Sequence, residues 1–377
     1  MHLLFATLAL LSLGLTLWQW LAARRFPLHQ RVADKSFAPA VTLLKPLKGC
    51  DPETAACLRS WFTQVYAGQI QIIFGVADAA DPVCATVQKL IAEFPQRDAQ
   101  LVLCPEELGS NAKVSTLVQL ERRAAHEILV ISDADVRVPP DFMANAVAPL
   151  RAETIGLVNC FYRLANPATT AMRWEAIAVN ADFWSSVLQA RSLAPLDFAL
   201  GAAMLTRRKN LAGCGGFAAL VDCLADDYQL GHRLARAGGR IELSPVVVEC
   251  WDKPMDWAQV WWHQLRWSRT IRMSKPAAYF FSVLSNATLW PLLWLALRPS
   301  AFAAEIFAVC LAVRICAALD LQKKLTGDRA GDFWFWLVPV KDLLQAALWL
   351  AAFLGRTIEW RGGRYRLRRD GTMEKIS

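Results

Sequence analysis

The sequence predicts an α/β domain, a largely parallel sheet with helices on both faces, held between membrane helices at its two ends. Three observations predict it. Four short apolar blocks, VTLLKPLKG (41–49), QIIFGVAD (71–78), QLVLC (100–104) and ILVISDAD (128–135), each stand 20 or more residues from the next. That spacing leaves room for crossover helices between parallel strands. Residues 3–23 form a run without a formal charge, long enough to cross a hydrocarbon core of about 30 Å. After Pro254 the composition changes, with 11 of the 16 Trp falling between Trp251 and Trp360, as expected where aromatic rings sit at membrane interfaces.

Composition narrows the classes further. The chain of 377 residues is 55% hydrophobic and 20% charged, which excludes disorder. A net charge of +8 over this length is weak for a nucleic-acid binder, so none is expected as a partner. The ten Cys form no CxxC pair, so neither a zinc site nor a disulfide framework is implied.

Taken in order, the first run reads as a spanning helix, since a cleaved signal peptide would have a shorter apolar core and a basic lead. Arg24, Arg25 and Arg31 follow it and place the next region in the cytoplasm. WAQVWWHQLRWSRTIRMSK (257–275) mixes Trp with basic residues and reads as a helix lying on the membrane surface. Residues 277–297 carry no charge and read as a second span; residues 301–319 contain Glu305 and Arg314, and residues 333–354 contain Pro339, Lys341 and Asp342. The tail, with Arg356, Arg361, Arg364, Arg366, Arg368 and Arg369, belongs in the cytoplasm by the same charge rule. An odd number of crossings is then required. Residues 301–319 complete a hairpin with 277–297, returning Lys323, Lys324 and Arg329 to the cytoplasm, and 333–354 is re-entrant or interfacial, because ionisable groups at bilayer depth need protein or water around them.

Candidate chemistry gathers where α/β sheets bind ligands, beyond the carboxyl ends of the strands. Asp133 and Asp135 end the fourth strand; two carboxylates so placed can share a hard cation, Mn²⁺ or Mg²⁺, with a nucleotide diphosphate, or can simply end a strand in solvent. Asp78, near Asp81 after the second strand, can hydrogen-bond a nucleoside or cap a helix. Asp226 and Asp227 open the helical stretch DDYQLGHRLARAGG, where the helix dipole is expected to keep Asp227 ionised as a general base, or the pair can simply open the helix. His263, Arg266 and Trp267 form an H-x-x-R-W string, in which Arg can grip a diphosphate and Trp can pack on a sugar, or both can serve the membrane surface.

In this order the four elements resemble membrane glycosyltransferases of the GT-A fold. VTLLKPLKGCDP (41–52), ADDYQLG (225–231), the Arg266-Trp267 pair and WRGGRYRLRRDGT (360–372) resemble more narrowly the ceramide glucosyltransferase family and its bacterial hopanoid-associated relatives, over about residues 41–376. The resemblance implies a nucleotide-binding Asp78, a metal-and-diphosphate Asp133, a catalytic base at Asp227 and a diphosphate-gripping motif at Arg266 and Trp267. His263 stands where that family has Gln or Arg, and Asp226 where it usually has Glu.

These readings together predict a multi-pass membrane enzyme with an N-terminal transmembrane helix (1–24), a cytoplasmic GT-A catalytic domain (41–254) and an interfacial segment (255–276). A C-terminal membrane region (277–355) and a basic cytoplasmic tail (356–377) follow. The expected reaction is inverting transfer of a hexose or N-acetylhexosamine from a UDP-sugar to a hydroxyl of a membrane lipid, ceramide-like or a hopanoid polyol. A processive polysaccharide synthase shares the aspartates and the R-W pair but needs more spans to thread a polymer. A non-catalytic scaffold would have no need of all four elements.

Overall fold

A computed structural model describes residues 2–327, 334–360, 363–368 and 370–376. Arg329, Phe333, Arg361 and Arg369 lie outside the described residues. The chain opens with α1 (His2–Arg25), then alternates β1 (Val41–Pro46), α2 (Thr54–Phe62), β2 (Ile70–Val76), α3 (Val83–Glu93), β3 (Asp98–Leu103), α4 (Ala112–Glu121) and β4 (Ile128–Ser132). The second half of the domain contains β5 (Val136–Arg137), α5 (Phe142–Val147), β6 (Ile155–Leu164), α6 (Thr170–Ile177), α7 (Trp184–Arg191), β7 (Ala203–Arg207), α8 (Arg208–Gly213), α9 (Asp226–Arg236) and β8 (Arg240–Cys250).

The eight strands make one sheet in the order β3-β2-β1-β4-β7-β6-β8-β5. The four apolar blocks of the sequence are its parallel half: β1 pairs β2 with Val41 opposite Ile70, and pairs β4 with Val41 opposite Ile128. β1, β2 and β4 are buried along their whole length, which is why they read as unbroken apolar runs rather than alternating ones, while β3, at the edge of the sheet, is partly exposed. Leu44, Ile73, Leu129 and Ile131 pack against Val114, Leu117 and Leu120 of α4. Their neighbours Leu43, Ile72, Phe74 and Val130 pack on the opposite side against Leu58, Trp61, Val87 and Leu90. The fold is the expected α/β class, with the addition that β7 runs antiparallel to β4 and β6, and β5 antiparallel to β8.

After the domain come α10 (Trp257–Ser274), α11 (Pro276–Ser282), α12 (Leu289–Leu297), α13 (Ala301–Thr326) and α14 (Leu337–Phe353). Among the described residues two helices are long and apolar enough to cross a membrane, at Leu3–Arg25 and Ala301–Thr326. The stretch 277–297, read as the second span, is not one continuous helix. That stretch is a pair of helical pieces bent by 57°, because the Asn286 side chain accepts from the Leu289 amide to start α12 afresh and donates from its Nδ2 to the Asp342 carbonyl of α14 at 2.7 Å.

Three of the charges inside the apolar stretches, Arg314, Lys341 and Asp342, prove to be partners. Arg314 of α13 grips Asp342 of α14 with Nε at 2.9 Å and Nη2 at 2.8 Å, and also reaches Asp182 at 2.8 Å. Lys341 contacts the same two carboxylates, and the Thr288 hydroxyl donates to Asp342 at 2.7 Å. Two cations and two anions are thereby buried together, the arrangement that ionic groups need away from water. Asp182 belongs to the α6–α7 segment, so this network fastens the C-terminal helices to the catalytic domain. The end of α1 is fastened too: Ala23 and Phe26 enter the domain core, and Gln19 donates to Ser185 Oγ at 2.6 Å.

The basic tail folds as an antiparallel sheet of β9 (Thr357–Trp360), β10 (Gly363–Leu367) and β11 (Met373–Lys375). It docks on the domain just ahead of α9, where the Met373 amide donates to the Asp222 carbonyl at 2.7 Å and Cys223 bridges to Thr372. A segment hydrogen-bonded to the catalytic domain shares its side of any bilayer.

Candidate active site

The end of β1 contributes Lys45, fully buried between strands and 5.0 Å from the Trp61 ring. Its Nζ lies 3.3 Å from Ser132 Oγ and also donates to the Asp133 carbonyl. Burial pulls this ammonium down to about 8, against the opposing pull of Asp135 and Asp133. Asp135 is pushed up to about 7 by burial and by the charges of Asp133 and Asp252. Asp133 keeps a more open side chain, 38% exposed, and faces Lys113.

Lys113 joins the two halves of the site. Its Nζ is 2.7 Å from Asp133 Oδ1 and 3.0 Å from Asp226 Oδ2. Asn111 positions it by capping α4, its side chain accepting from the Val114 amide and donating to the Cys223 carbonyl at 2.7 Å. Burial opposes the Lys113 charge, but Asp133 and Asp226 outweigh it and hold the ammonium above its ordinary range.

Asp227 follows on α9, its Oδ1 accepting from the Tyr228 amide at 2.7 Å. The helix dipole favours an ionised Asp227, and packing works against it: burial and the adjacent Asp226 raise its carboxyl to about 7, despite Lys113 and the Tyr228 amide. Its carboxylate lies against Gly201, where a Cβ would come within 2.8 Å of Oδ2.

The H-x-x-R-W string lies on α10, which starts with a capping box of Asp256 and Gln259. His263 Nδ1 is 2.7 Å from Glu175 Oε1, the same oxygen that accepts from Gln264 Nε2 at 2.8 Å, and the imidazole lies 4.8 Å from the Trp267 ring. Trp267 in turn approaches Phe183, which packs on Tyr162. His263 and Arg266 act favourably on the Asp252 carboxylate, which burial raises, and Asp252 acts on Asp135. Asp133, Asp135, Asp226, Asp227, His263, Arg266 and Trp267 therefore border one region. Asp78 stands apart, exposed two strands away, with Oδ1 accepting from the Ala80 amide at 2.9 Å. Asp81 caps the neighbouring turn through the Gly49 and Val83 amides.

The sequence reading missed Lys45, Lys113, Glu175, Tyr162 and Asp252. Two had a signal. Lys45 interrupts an apolar strand, and Lys113 opens a helix at the end where the dipole disfavours a cation; each is a local cost that a nearby anion can offset. Glu175 and Tyr162 had none, because only the packing of α6 and β6 brings them here. Among the described residues no group of three or more His, Cys, Asp or Glu is arranged to hold a metal ion. Asp133 and Asp135 alone suit a cation that takes its remaining ligands from a diphosphate, the usual manner of Mg²⁺ at such sites.

The profile of glycosyl transferase family 21 matches residues 4–373. A ceramide glucosyltransferase of Candida albicans is 34% identical over 128 residues, 31% of this chain and 24% of that protein. Ceramide glucosyltransferase 3 of Caenorhabditis elegans is 24% identical over 227 residues, 59% of this chain and 49% of that protein. The chain thus spans half or less of these curated relatives. A mannosyltransferase of Pyrobaculum calidifontis, solved in complex with GDP-Man and Mn²⁺, superposes with a TM-score of 0.56 at 21% identity, covering 94% of this chain and 97% of that one. At that identity the likeness is one of fold.

Proposed function

The chain belongs to glycosyl transferase family 21, and from that premise we propose an inverting glycosyltransferase that moves a hexose or N-acetylhexosamine from a UDP-sugar to a hydroxyl of a membrane lipid, ceramide-like or a hopanoid polyol. The observation that carries the reading is Lys113, which ties the carboxylate suited to a diphosphate, Asp133, to the acidic pair beside it, Asp226 and Asp227. Asp227 in its ionised form accepts the proton of the lipid hydroxyl as that oxygen attacks the anomeric carbon. The bond from that carbon to the UDP oxygen breaks on the opposite face. A carboxyl poised near 7 suits this role, since it is basic enough to take the proton and still ionised in part at neutral pH.

Asp133 and Asp135 would hold Mn²⁺ or Mg²⁺ between themselves and the diphosphate, and such an ion neutralises charge on the departing nucleotide. Lys45 and Lys113 add fixed positive charge behind the same carboxylates. Arg266 faces the diphosphate side, and Trp267, Phe183 and Tyr162 form an apolar wall for the sugar or acceptor. Asp78 contacts the nucleoside from the end of β2. The catalytic domain and tail face the cytoplasm, with α1, the α11–α12 pair and α13 crossing the bilayer and α14 embedded by its buried charges.

The test is purified protein in lipid nanodiscs, offered UDP-glucose, UDP-galactose, UDP-N-acetylglucosamine or GDP-mannose with ceramide or a hopanoid polyol, and products identified by mass spectrometry. A glycosylated lipid of inverted anomeric configuration from a UDP-sugar is expected. Product from GDP-mannose alone would overturn the donor assignment, and polymer instead of a single sugar addition would overturn the reaction.

A further inference from the structure

Away from the acidic site, three arginines meet where α10 crosses the end of α14. Arg272 Nη2 donates to the Gly355 carbonyl at 2.9 Å, Arg269 donates to the Thr357 carbonyl, and Arg356 lies exposed between these two acceptors. The Nε of Arg269 and of Arg272 are both buried with no partner among the described residues. A buried guanidinium donor left unpaired costs free energy unless a ligand supplies the acceptor. Burial and Arg272 push Arg269 below its ordinary range, and burial and Arg356 do the same to Arg272, opposed by the Tyr279 phenol and by no carboxylate.

Beside this cationic corner the surface is apolar. The Arg272 guanidinium lies 5.4 Å over the Phe353 ring, and Phe353 packs on Phe280. Phe280, Phe281, Leu350 and Leu354 are exposed by 52%, 60%, 58% and 80%. Positive donors at the end of an apolar helix, bordering exposed rings and leucines, are the two halves of an amphipathic ligand's binding site.

We propose that this junction binds an anionic phospholipid, its phosphate on Arg269, Arg272 and Arg356 and its acyl chains along Phe280, Phe281 and Leu354. The guanidinium forks match phosphate oxygens in geometry and charge. A zwitterionic lipid would bring its own cation to a corner that already has three. The site does not depend on the sugar-transfer reading, since none of these residues is assigned to that chemistry. It would fix the depth of α10, the helix that carries Arg266 and Trp267, relative to the lipid headgroups.

The full-length protein in a neutral detergent, titrated with phosphatidylglycerol and observed by native mass spectrometry, tests this. Phosphatidylcholine and inorganic phosphate serve as parallel arms. The wild type should retain phosphatidylglycerol in preference to phosphatidylcholine, and inorganic phosphate at equal concentration should not displace it. At about 1 kcal/mol for each basic residue, Arg356→Gln should weaken retention about fivefold, and Arg272→Gln with Arg356→Gln about 30-fold. Arg356 donates to no backbone carbonyl that fastens the tail, so its single variant, with an unchanged unfolding temperature, keeps the test independent of folding. Equal retention by wild type and Arg356→Gln would overturn the proposal, as would equal retention of the two lipids. Displacement by inorganic phosphate would replace the lipid with a free anion as the ligand.

Discussion

Replacing Asp226 by Asn should move the acid limb of the pH–rate profile to lower pH. In the wild type, Asp227 is raised from 3.8 to about 7, a difference of about 4 kcal/mol between its two protonation states. Because the base must be ionised to take the acceptor proton, kcat/KM should fall about tenfold for each pH unit below 7 and level off above it. Burial is the largest cause of the shift and Asp226 the second. At an effective dielectric of about 20, like charges roughly 6–8 Å apart repel by about 2–3 kcal/mol. Lys113, 3.0 Å from Asp226, already offsets part of that repulsion, leaving about one pH unit for Asp226→Asn to remove. The midpoint should therefore fall from near 7 to near 6, and activity at pH 6, relative to the variant's own plateau, should rise about fivefold. Lys113→Met should act in the opposite sense, raising the midpoint, because it removes the cation that favours the carboxylate. The assay is initial rates of lipid product formation at low donor concentration, from pH 5 to 9, by mass spectrometry. A wild-type profile flat across that range, or a limb that stays put or moves up in Asp226→Asn, would refute the electrostatic account of the base.

Asp227→Asn should reduce turnover to background while UDP affinity by calorimetry stays within a few fold; more than a tenth of wild-type turnover would exclude Asp227 as the base. Transfer should require a divalent cation, with Asp133→Ala and Asp135→Ala each weakening UDP binding in its presence, and full activity in chelator would count against the ion. Arg314→Met leaves Asp342 and Asp182 sharing Lys341 alone and should lower stability by about 3–5 kcal/mol, read as a fall in thermal unfolding temperature in nanodiscs. Single cysteines at Thr326 and Ser377, in a variant without the native Cys, should resist a membrane-impermeant thiol reagent in sealed cells and react after permeabilisation; labelling at Ser377 from outside would refute the cytoplasmic tail.

Local signals made half of the sheet readable. Strands buried on both faces spell continuous apolar runs, so β1, β2 and β4 and the carboxylates after β2 and β4 were legible, as were β3 from its short apolar block and α1 from its length and lack of charge. The antiparallel strands β5 and β7 were not, since the two residues of β5 and the mixed AMLTR of β7 acquire their identity from the partner strand. The acidic residues of the site were visible because carboxylates at strand ends and helix starts are distinctive in sequence. Their ionisation was not: the helix dipole favours a charged Asp227 and the neighbouring Asp226 opposes it, but the largest cause of the shift is burial, which only packing supplies.

The membrane region divides in the same way. Hydropathy by itself determined which stretches are apolar, and the charges within them looked like obstacles to crossing. Only the tertiary structure decided that Arg314, Lys341, Asp342 and Asp182 neutralise one another, and that the basic tail folds back beside α9 instead of lying on lipid. Hydrophobicity and charge are properties of a residue and its chain neighbours, so sequence carries them. Pairing and desolvation also join residues far apart in the chain, such as Lys341 and Asp182, about 160 positions apart, and no short window along the chain contains both.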